Sequence, residues 1–322
     1  VNSEMGREWE GDILASSNAP EHVLIVGGGP GGMEAARLLA EQGHRVTLWE
    51  RDKDLGGTAR IAALAYEPNE GLIDYLAHEM RRLPIDLQLG KTATVEDIRA
   101  ANADHVILAT GALRQAPEIP GKAQRHVFDG EELRGVLFGT DKSAAAKLSL
   151  FAQCALWLGR ISGALRSIAL LRFASRIWMP LADQMVIIGG GLVGLELAEY
   201  LVERGRKVTI IEPGPSLGEE LAIVRRARVL HLLREHGTDI HANAPVVNIG
   251  PDSVMCEIDG EARSFPAKQV IIALGAEGDD RLASALDDSS ARVHRIGDCQ
   301  EVSYIDGAIL SARNVVEAIR AV

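Results

Sequence analysis

The sequence is poor in cysteine, and its three cysteines are far apart. Cys154, Cys256 and Cys299 form no C-x-x-C pair anywhere in the 322 residues. A disulfide framework needs several cysteines, and a dithiol redox centre needs two close together, so this spacing excludes both and favours a reducing compartment, the cytoplasm. It also leaves no local ligand set for an iron–sulfur cluster.

Other classes of protein are excluded in the same way. No signal peptide and no uncharged apolar run of about 20 residues is present, as a membrane span would need. The net charge of -11 argues against a nucleic-acid partner, which requires a basic surface. His231, His236 and His241 are spaced by five, so they do not share a helix face, and we predict no metal site.

A glycine-rich turn near the N-terminus lies between a predicted strand, Val23–Val26, and a predicted helix, Met33–Glu41. The next strand, Arg45–Trp49, ends at an acid. In G-x-G-x-x-G turns the glycines permit the turn, the approach of a pyrophosphate and helix packing, while the acid accepts hydrogen bonds from ribose hydroxyls. The positive end of the helix faces the diphosphate. The predicted contacts of this first dinucleotide are Gly27, Gly29, Pro30, Gly31, Gly32, Glu50 and Arg51.

The same unit recurs at Met185–Glu212, so the chain contains an internal repeat. Its predicted contacts are Gly189, Gly191, Leu192, Val193, Gly194 and Glu212. A carboxylate at Glu212 would repel the 2′-phosphate of NADP, and Pro213, Gly214 and Pro215 supply no basic residue, so NADH is favoured over NADPH. A vestigial site that keeps the fold but binds no dinucleotide is the alternative.

With two such units, residues 21–322 resemble the pyridine nucleotide-disulfide oxidoreductase superfamily. Three further segments carry the resemblance: Asp104–Ala112 (DHVILATGA), Ala267–Gly275 (AKQVIIALG) and Arg295–Cys299 (RIGDC). Tyr304–Ala318 is similar to the helix whose N-terminus faces the flavin, where it would stabilise negative charge on the reduced ring. The resemblance implies FAD contacts at Ala109, Thr110, Gly111, Gly297, Asp298 and Ile305, and a contact of the second nucleotide at Gly275.

A narrower resemblance rests on Gly6-Arg7-Glu8, the GGGPGG turn and Leu55–Ala65 (LGGTARIAALA). These look like the C-terminal half of the old-yellow-enzyme-related iron–sulfur flavoproteins, such as 2,4-dienoyl-CoA reductase, 2-enoate reductase and trimethylamine dehydrogenase. The resemblance adds Gly57 and Thr58 to the FAD contacts. In that family an N-terminal TIM barrel with FMN and a 4Fe–4S cluster precedes this half, so we expect those groups only in a preceding domain or a partner subunit.

The resemblance implies an FAD-dependent NAD(P)H oxidoreductase. It would pass hydride from NADH to FAD, and electrons onward to a second redox centre that reduces an enoyl or dienoyl substrate. Two alternatives stay open: an ADP-binding structural module, as in the amine dehydrogenases, and a stand-alone NADH-dependent reductase of ferredoxin or quinone. The intact second glycine motif favours the first interpretation.

Two side chains near the predicted sites have open roles. Direct hydride transfer needs no protein nucleophile. Glu196 is the one catalytic candidate: by resemblance it reaches the nicotinamide region, and the alternative is an ordinary solvent-facing glutamate. Cys299 is interpreted as a buried, inert thiol rather than a neighbour of the flavin.

Residues 142–182 differ from the rest of the chain. They contain no Asp or Glu, six basic residues and two of the four tryptophans, Trp157 and Trp178, and Gly159 and Gly163 could divide them into two helices. Three interpretations are open: a helical excursion packed on its own domain or on a second copy in a homo-oligomer, a docking surface for a barrel or partner, and an interfacial helix pair on anionic lipid or a fatty substrate. The membrane interpretation is the least favoured of the three.

The predicted fold class is α/β, with two doubly wound Rossmann-like dinucleotide-binding domains, the second inserted in the first, plus a helical insertion. We expect a linker at 1–20, in a chain that belongs to a longer protein or has a processed terminus. The predicted FAD domain comprises 21–140 and 288–322, the basic amphipathic insertion 141–182, and the NAD(H) domain 183–287. Alternating runs within Gly237–Arg263 predict a β-meander.

Overall fold

The computed structural model describes residues 17, 19–114 and 116–320, and the predicted linker 1–20 lies almost wholly outside them. The chain folds into two compact units. Unit 1 extends to Arg60 and contains Glu67–Leu113 and the chain from Ala276 onward; unit 2 contains Ile61–Tyr66 and Arg114–Gly275. The prediction that one domain is inserted in the other is therefore confirmed.

Unit 1 is built on a five-stranded parallel sheet with the order β15-β4-β1-β2-β3. Its strands are β1 (His22–Val26), β2 (Arg45–Glu50), β3 (Ile85–Leu89), β4 (His105–Leu108) and β15 (Arg292–Arg295). The central strand is almost entirely apolar because both of its faces are buried, as in other parallel sheets.

The helices of unit 1 cover the sheet. They are α1 (Pro30–Glu41), α3 (Pro68–Arg82), α4 (Val95–Ala100), α11 (Arg281–Ser284) and α12 (Tyr304–Arg320), while α2 (Ala59–Ala65) continues into unit 2. Pro30 starts α1, where its fixed φ suits the helix and its missing N–H costs nothing. Helices α1 and α12 approach closely at Gly31, where a Cβ would lie 3.1 Å from the carbonyl oxygen of Ala308.

Unit 2 repeats this sheet with the order β6-β13-β7-β8-β9, again all parallel. The strands are β6 (Val127–Asp129), β7 (Gln184–Ile188), β8 (Lys207–Ile211), β9 (Asp239–His241) and β13 (Gln269–Ile272). The predicted meander is confirmed as an antiparallel sheet of β10 (Val246–Ile249), β11 (Ser253–Ile258) and β12 (Glu261–Pro266). Its inner residues, among them Val254 and Cys256, share a core with Ile188 and Ile272 of the parallel sheet.

The remaining elements of unit 2 are helical. They are α5 (Gly130–Leu137), α6 (Lys142–Ala146), α7 (Leu150–Ser162), α8 (Ile168–Ile177), α9 (Leu192–Val202) and α10 (Ile223–Glu235). The chain passes between the units at two short strands, β5 (Leu113–Arg114) and β14 (Ala276–Glu277).

The predicted domain boundaries need correction at both ends of the inserted unit. Residues 114–140 belong to unit 2, not to the FAD domain, because β6 pairs with β13 at the edge of the second sheet. Residues 276–287 belong to unit 1, where Leu286 is buried in the core and the N–H of Asp279 donates to the carbonyl of Cys299 over 2.9 Å. Residues 141–182 are part of unit 2.

The predicted break at Gly163 is confirmed, and the one at Gly159 is wrong. Gly163 ends α7 in the left-handed conformation with a φ of 76°. Gly159 continues the helix, packed against Leu165. None of the described helices is long and apolar enough to cross a membrane.

Candidate dinucleotide-binding sites

The first glycine turn has the close backbone contacts that its motif requires. Gly27 has a φ of +114°, and a Cβ there would lie 2.2 Å from the carbonyl oxygen of Ala109. A Cβ on Gly32 would lie 1.9 Å from the carbonyl oxygen of Gly27. Only glycine fits at these two positions, so the turn brings the end of β1 directly against the start of α1.

Gly29 differs from its neighbours because it borders open space. It is the N-cap of α1 with extended backbone, and none of the described side chains caps the helix there. No described atom lies within 4 Å of the position that its Cβ would take. No neighbouring group therefore crowds this side of the turn, and we predict that the N–H groups in the first turn of α1, together with the helix dipole, would hold a pyrophosphate there.

Glu50 is buried at the tip of β2 with its carboxylate held by two backbone donors. The N–H of Gly28 donates to Oε2 over 2.6 Å, and the N–H of Asp52 donates to Oε1 over 2.7 Å. Arg51, beside it, is exposed. A carboxylate oriented in this way still has lone pairs for the ribose hydroxyls of an adenosine.

The loop after β2 packs against the same turn. The N–H of Gly56 donates to the carbonyl of Gly28 over 2.8 Å, and a Cβ on Gly57 would lie 3.4 Å from the Cα of Gly29. Thr58 follows in the same loop and is partly buried. Of the two predicted residues, Gly57 thus lies against the first glycine turn, and Thr58 is its neighbour in the chain.

The predicted late G-D motif lies at the start of α12. Asp298 accepts hydrogen bonds from the backbone N–H groups of Ser303 and Tyr304, each over 3.0 Å. Gly297 has a φ of +64°, and its N–H donates to the Ser311 hydroxyl over 2.8 Å. This network fixes the N-terminus of α12. The N–H of Ile305 lies in the first turn of that helix, where backbone N–H groups have no acceptor within the helix.

The second glycine turn repeats the first in detail. Gly189 has a φ of +112°, and a Cβ on Gly194 would lie 2.0 Å from the carbonyl oxygen of Gly189. The carboxylate of Glu212 accepts hydrogen bonds from the N–H groups of Gly190 and Gly214, each over 2.6 Å. Glu50 and Glu212 therefore occupy equivalent positions in the two units. Leu192 and Val193 begin α9, directly after the turn.

The repeat extends further than the glycine motif. Leu55 follows Glu50 at the same spacing as Leu217 follows Glu212. A Cβ on Gly28 would lie 2.6 Å from Cδ2 of Leu55, and a Cβ on Gly190 would lie 2.7 Å from Cδ2 of Leu217. The N–H of Gly218 donates to the carbonyl of Gly190 over 2.8 Å, as Gly56 does in the first unit. Sequence reasoning missed this second element, although the Leu-Gly pair after each acid was a signal for it.

The two strand-and-turn segments also correspond. The N–H of Ala109 donates to the carbonyl of Val26, and that of Ala273 donates to the carbonyl of Ile188, both over 2.8 Å. Gly111 and Gly275 both have positive φ, +77° and +84°, and no described atom outside its chain neighbours lies within 4 Å of the position that a Cβ on Gly111 would take. Ala109, Thr110 and Gly111 therefore lie at the end of β4, beside the first turn.

The second turn differs from the first by one carboxylate that the sequence analysis did not single out. Oε1 of Glu220 lies 2.9 Å from the position of a Cβ on Gly191, on the face where Gly29 of the first turn is open. A pyrophosphate on this face would be repelled by the charge of Glu220 in the position that this carboxylate occupies.

Glu196 lies on α9, one turn before an ion pair. Glu199 is buried and pairs with both terminal nitrogens of Arg225, at 3.1 and 2.5 Å. Burial raises the pKa of Glu196 to about 7, and the negative charge of Glu199 adds to the shift while Arg225 opposes it. Glu196 is partly buried rather than fully solvent-facing, and its role near a nicotinamide stays a prediction.

The cysteines occupy three different environments. Cys299 is buried, and its thiol donates to the carbonyls of Leu108 and Ile296 over 3.0 and 3.2 Å. The prediction of a buried thiol at Cys299 is therefore confirmed, and this burial raises the pKa of the thiol, which suppresses the thiolate. Cys256 is also buried and Cys154 is exposed. Within residues 17, 19–114 and 116–320, no group of His, Cys, Asp and Glu side chains could hold a metal ion.

Two matched glycine turns, each with a carboxylate at the tip of the next strand, define a protein with two dinucleotide-binding units. Comparison with known sequences agrees: the profile of the pyridine nucleotide-disulphide oxidoreductases matches residues 21–299. The chain belongs to this family, and its cofactors are FAD and NADH.

Three relatives illustrate the similarity. The bilirubin reductase of Mediterraneibacter gnavus (strain CC55_001C) is 31% identical over 303 residues, which cover 94% of this chain and 41% of the relative. A cinnamate reductase of Clostridium sporogenes is 27% identical, over 99% and 42%. Among solved structures, a 2-naphthoyl-CoA reductase superposes with a TM-score of 0.80 at 27% identity, over 98% of this chain and 42% of that one. The chain thus spans less than half the length of these relatives.

Proposed function

We propose that the chain passes hydride from NADH in the second site to FAD in the first, and electrons onward to a separate redox centre. That centre would be an FMN and iron–sulfur barrel, as a preceding domain or a partner subunit, which reduces an enoyl- or dienoyl-type substrate. The observation that carries the proposal is the pair of equivalent glycine turns, each with an oriented carboxylate.

The cysteine content and the relatives support the onward transfer. No C-x-x-C pair is present, so a dithiol exit of electrons lacks its residues. The chain matches 41% of the bilirubin reductase and 42% of the cinnamate reductase. In each case more than half of the relative lies outside the match, which is room for a second redox centre. Two of the relatives named above reduce cinnamate or an aryl-CoA thioester, which supports a conjugated substrate.

The chain's own residues bind and orient. The N–H groups in the first turn of α1 would hold the FAD pyrophosphate, and Glu50 would hold the ribose. Asp298, which accepts hydrogen bonds from the backbone at the start of α12, would hold in place the helix end that faces the flavin. Glu212 would hold the adenosine ribose of NADH. When bound, the nicotinamide supplies the hydride and the flavin accepts it. The free thiols of Cys256 and Cys299 fit the cytoplasm, where we place the protein.

The test is an anaerobic titration of the purified chain with NADH, followed through the visible absorption of the flavin. We expect bound FAD, complete bleaching by NADH and enoyl reduction only when the barrel domain or subunit is also present. A chain that retains ADP and shows no flavin absorption would be a structural module instead. Rapid turnover with ferredoxin or quinone, with no gain from the barrel, would identify a stand-alone reductase.

A further inference from the structure

Helix α7 exposes an apolar stripe along its whole length. The exposed positions recur at the spacing of one helix face: Leu150, Phe151, Cys154, Trp157, Leu158 and Ile161. Leu150 is 80% exposed and Ile161 66% exposed, although such side chains are normally buried. The opposite face carries Ala152 and Leu156, which are buried against Phe128 and Val136 of the same unit. The exposed stripe therefore belongs to a helix that is already anchored.

Helix α8 has the same arrangement. Its exposed stripe consists of Leu170, Phe173, Ala174 and Ile177, while Ile168 on the other side is buried. Arg172, on the inner side, donates to the carbonyl of Ala63 over 2.6 Å. Each helix begins with a serine cap, Ser149 and Ser167, so both are well-defined helices rather than loosely attached coil.

The two stripes form one surface. Phe151 at the start of α7 contacts Trp178 at the end of α8 edge to face, with ring centroids 5.5 Å apart. We call residues 150–178, which comprise α7, α8, the connection between them and Trp178, the helix pair. A contiguous apolar surface of this kind on a described unit marks an interaction site.

The charge of the helix pair is of one sign. No acidic residue lies between Lys142 and Ala182, and Arg160, Arg166 and Arg176 are exposed. Arg160 and Arg176 border the apolar stripes of their helices. From this position the methylene groups of an arginine can lie on apolar surface while its guanidinium reaches a polar environment. Two of the four tryptophans, Trp157 and Trp178, are exposed here.

We propose that the helix pair lies on an anionic lipid surface, with its apolar stripes among the acyl chains and its arginines at the headgroup phosphates. Apolar and aromatic residues on one face with flanking Arg are the features of interfacial helices. A second copy of the chain fits less well, because a two-fold interface would bring two copies of this basic surface together, and the segment contains no acid to pair with the arginines. This attachment is independent of which acceptor receives the electrons.

The test is co-sedimentation of the FAD-loaded chain with vesicles of phosphatidylcholine alone and of phosphatidylcholine mixed with phosphatidylglycerol. We expect binding to the mixed vesicles, weakened by raising the salt to about 1 M, where exposed charges are screened. Phe151→Ser and Trp157→Ser should each lower the partition coefficient about tenfold. Arg160→Gln and Arg166→Gln should each lower it about fivefold.

The matched control is Ile223→Ser with Val224→Ser. These two apolar side chains are 82% and 79% exposed at the start of α10, in the same unit but outside the helix pair. The control should bind vesicles like the unchanged chain, and all variants should retain FAD, which shows that they fold. Absence of binding to the mixed vesicles would overturn the proposal, and so would equal weakening by the control. If the chain instead forms dimers that Trp157→Ser dissociates, and does not bind vesicles, the surface is an interface with a second copy.

Discussion

Replacing Gly29 by alanine separates cofactor binding from folding. Gly29 has extended backbone with a φ of -76°, which alanine adopts freely, and the described atoms leave the position of its Cβ empty. The free energy of unfolding of the apoprotein should therefore stay unchanged or rise by about 0.4–1 kcal/mol, because alanine restricts the unfolded chain. The methyl group would instead occupy the space proposed for the pyrophosphate.

The expected loss is confined to FAD affinity. If the methyl group costs one charge-assisted hydrogen bond to phosphate, about 1.5–3 kcal/mol, FAD binds about 10- to 150-fold more weakly. Equilibrium titration of the apoprotein with FAD measures the affinity, and denaturant unfolding of the apoprotein measures stability. Gly27→Ala is the contrast: its φ of +114° and the carbonyl of Ala109 at 2.2 Å predict a destabilised apoprotein, by at least about 2 kcal/mol.

The comparison has a clear refuting result. If Gly29→Ala binds FAD as tightly as the unchanged protein, the open space at the start of α1 is not the pyrophosphate site. If Gly29→Ala instead unfolds as readily as Gly27→Ala, the two glycines do not differ in the way that the geometry requires.

Three further changes test other parts of the molecule. Glu212→Arg should raise the ratio of kcat/KM for NADPH to that for NADH at least about tenfold, since it replaces a repelling carboxylate with a phosphate ligand; an unchanged ratio would contradict the role of this residue. The pKa of Glu196 is raised from 4.5 to about 7, so the folded chain keeps its proton after the unfolded chain has lost it, and stability should fall as the pH rises through this window. Denaturant midpoints of Glu196→Gln should show a flatter pH profile, and equal slopes would count against a buried carboxyl. Gly163→Ala should lower the free energy of unfolding by about 1–2 kcal/mol, because an alanine is strained at a φ of 76°. No described atom crowds the site, so the positive φ is the sole cause of this loss. Calorimetry that shows no loss would argue against a left-handed residue at the end of α7.

The sequence predicted the local units well because neighbouring residues decide them. The turn from β1 to α1 follows from Gly27 and Gly32, whose missing side chains are required within a few residues of chain. The carboxylates of Glu50 and Glu212 lie at the ends of their strands, as the motif spacing predicted. Cys299 is buried, as predicted.

The domain boundaries were harder because they depend on pairing between distant segments. β6 precedes the second glycine turn by many residues, and nothing in its three-residue span tells whether it joins the first or the second sheet. Hydrogen bonds to β13 place it in the second. In unit 1 the equivalent edge position is filled by β15, which comes from the far end of the chain.

The sequence by itself determined the two strand–turn–helix units, their acids and the amphipathic pattern of α7 and α8, because each depends on spacing along a short stretch of chain. Tertiary structure alone decided the order of the strands, the position of Glu220 against Gly191 and the exposure of the outer face of the helix pair. Periodicity shows which side chains share a face of a helix. Whether a given face is buried depends on whether another part of the chain packs against that face. In α7 and α8 the rest of unit 2 packs against the inner face only.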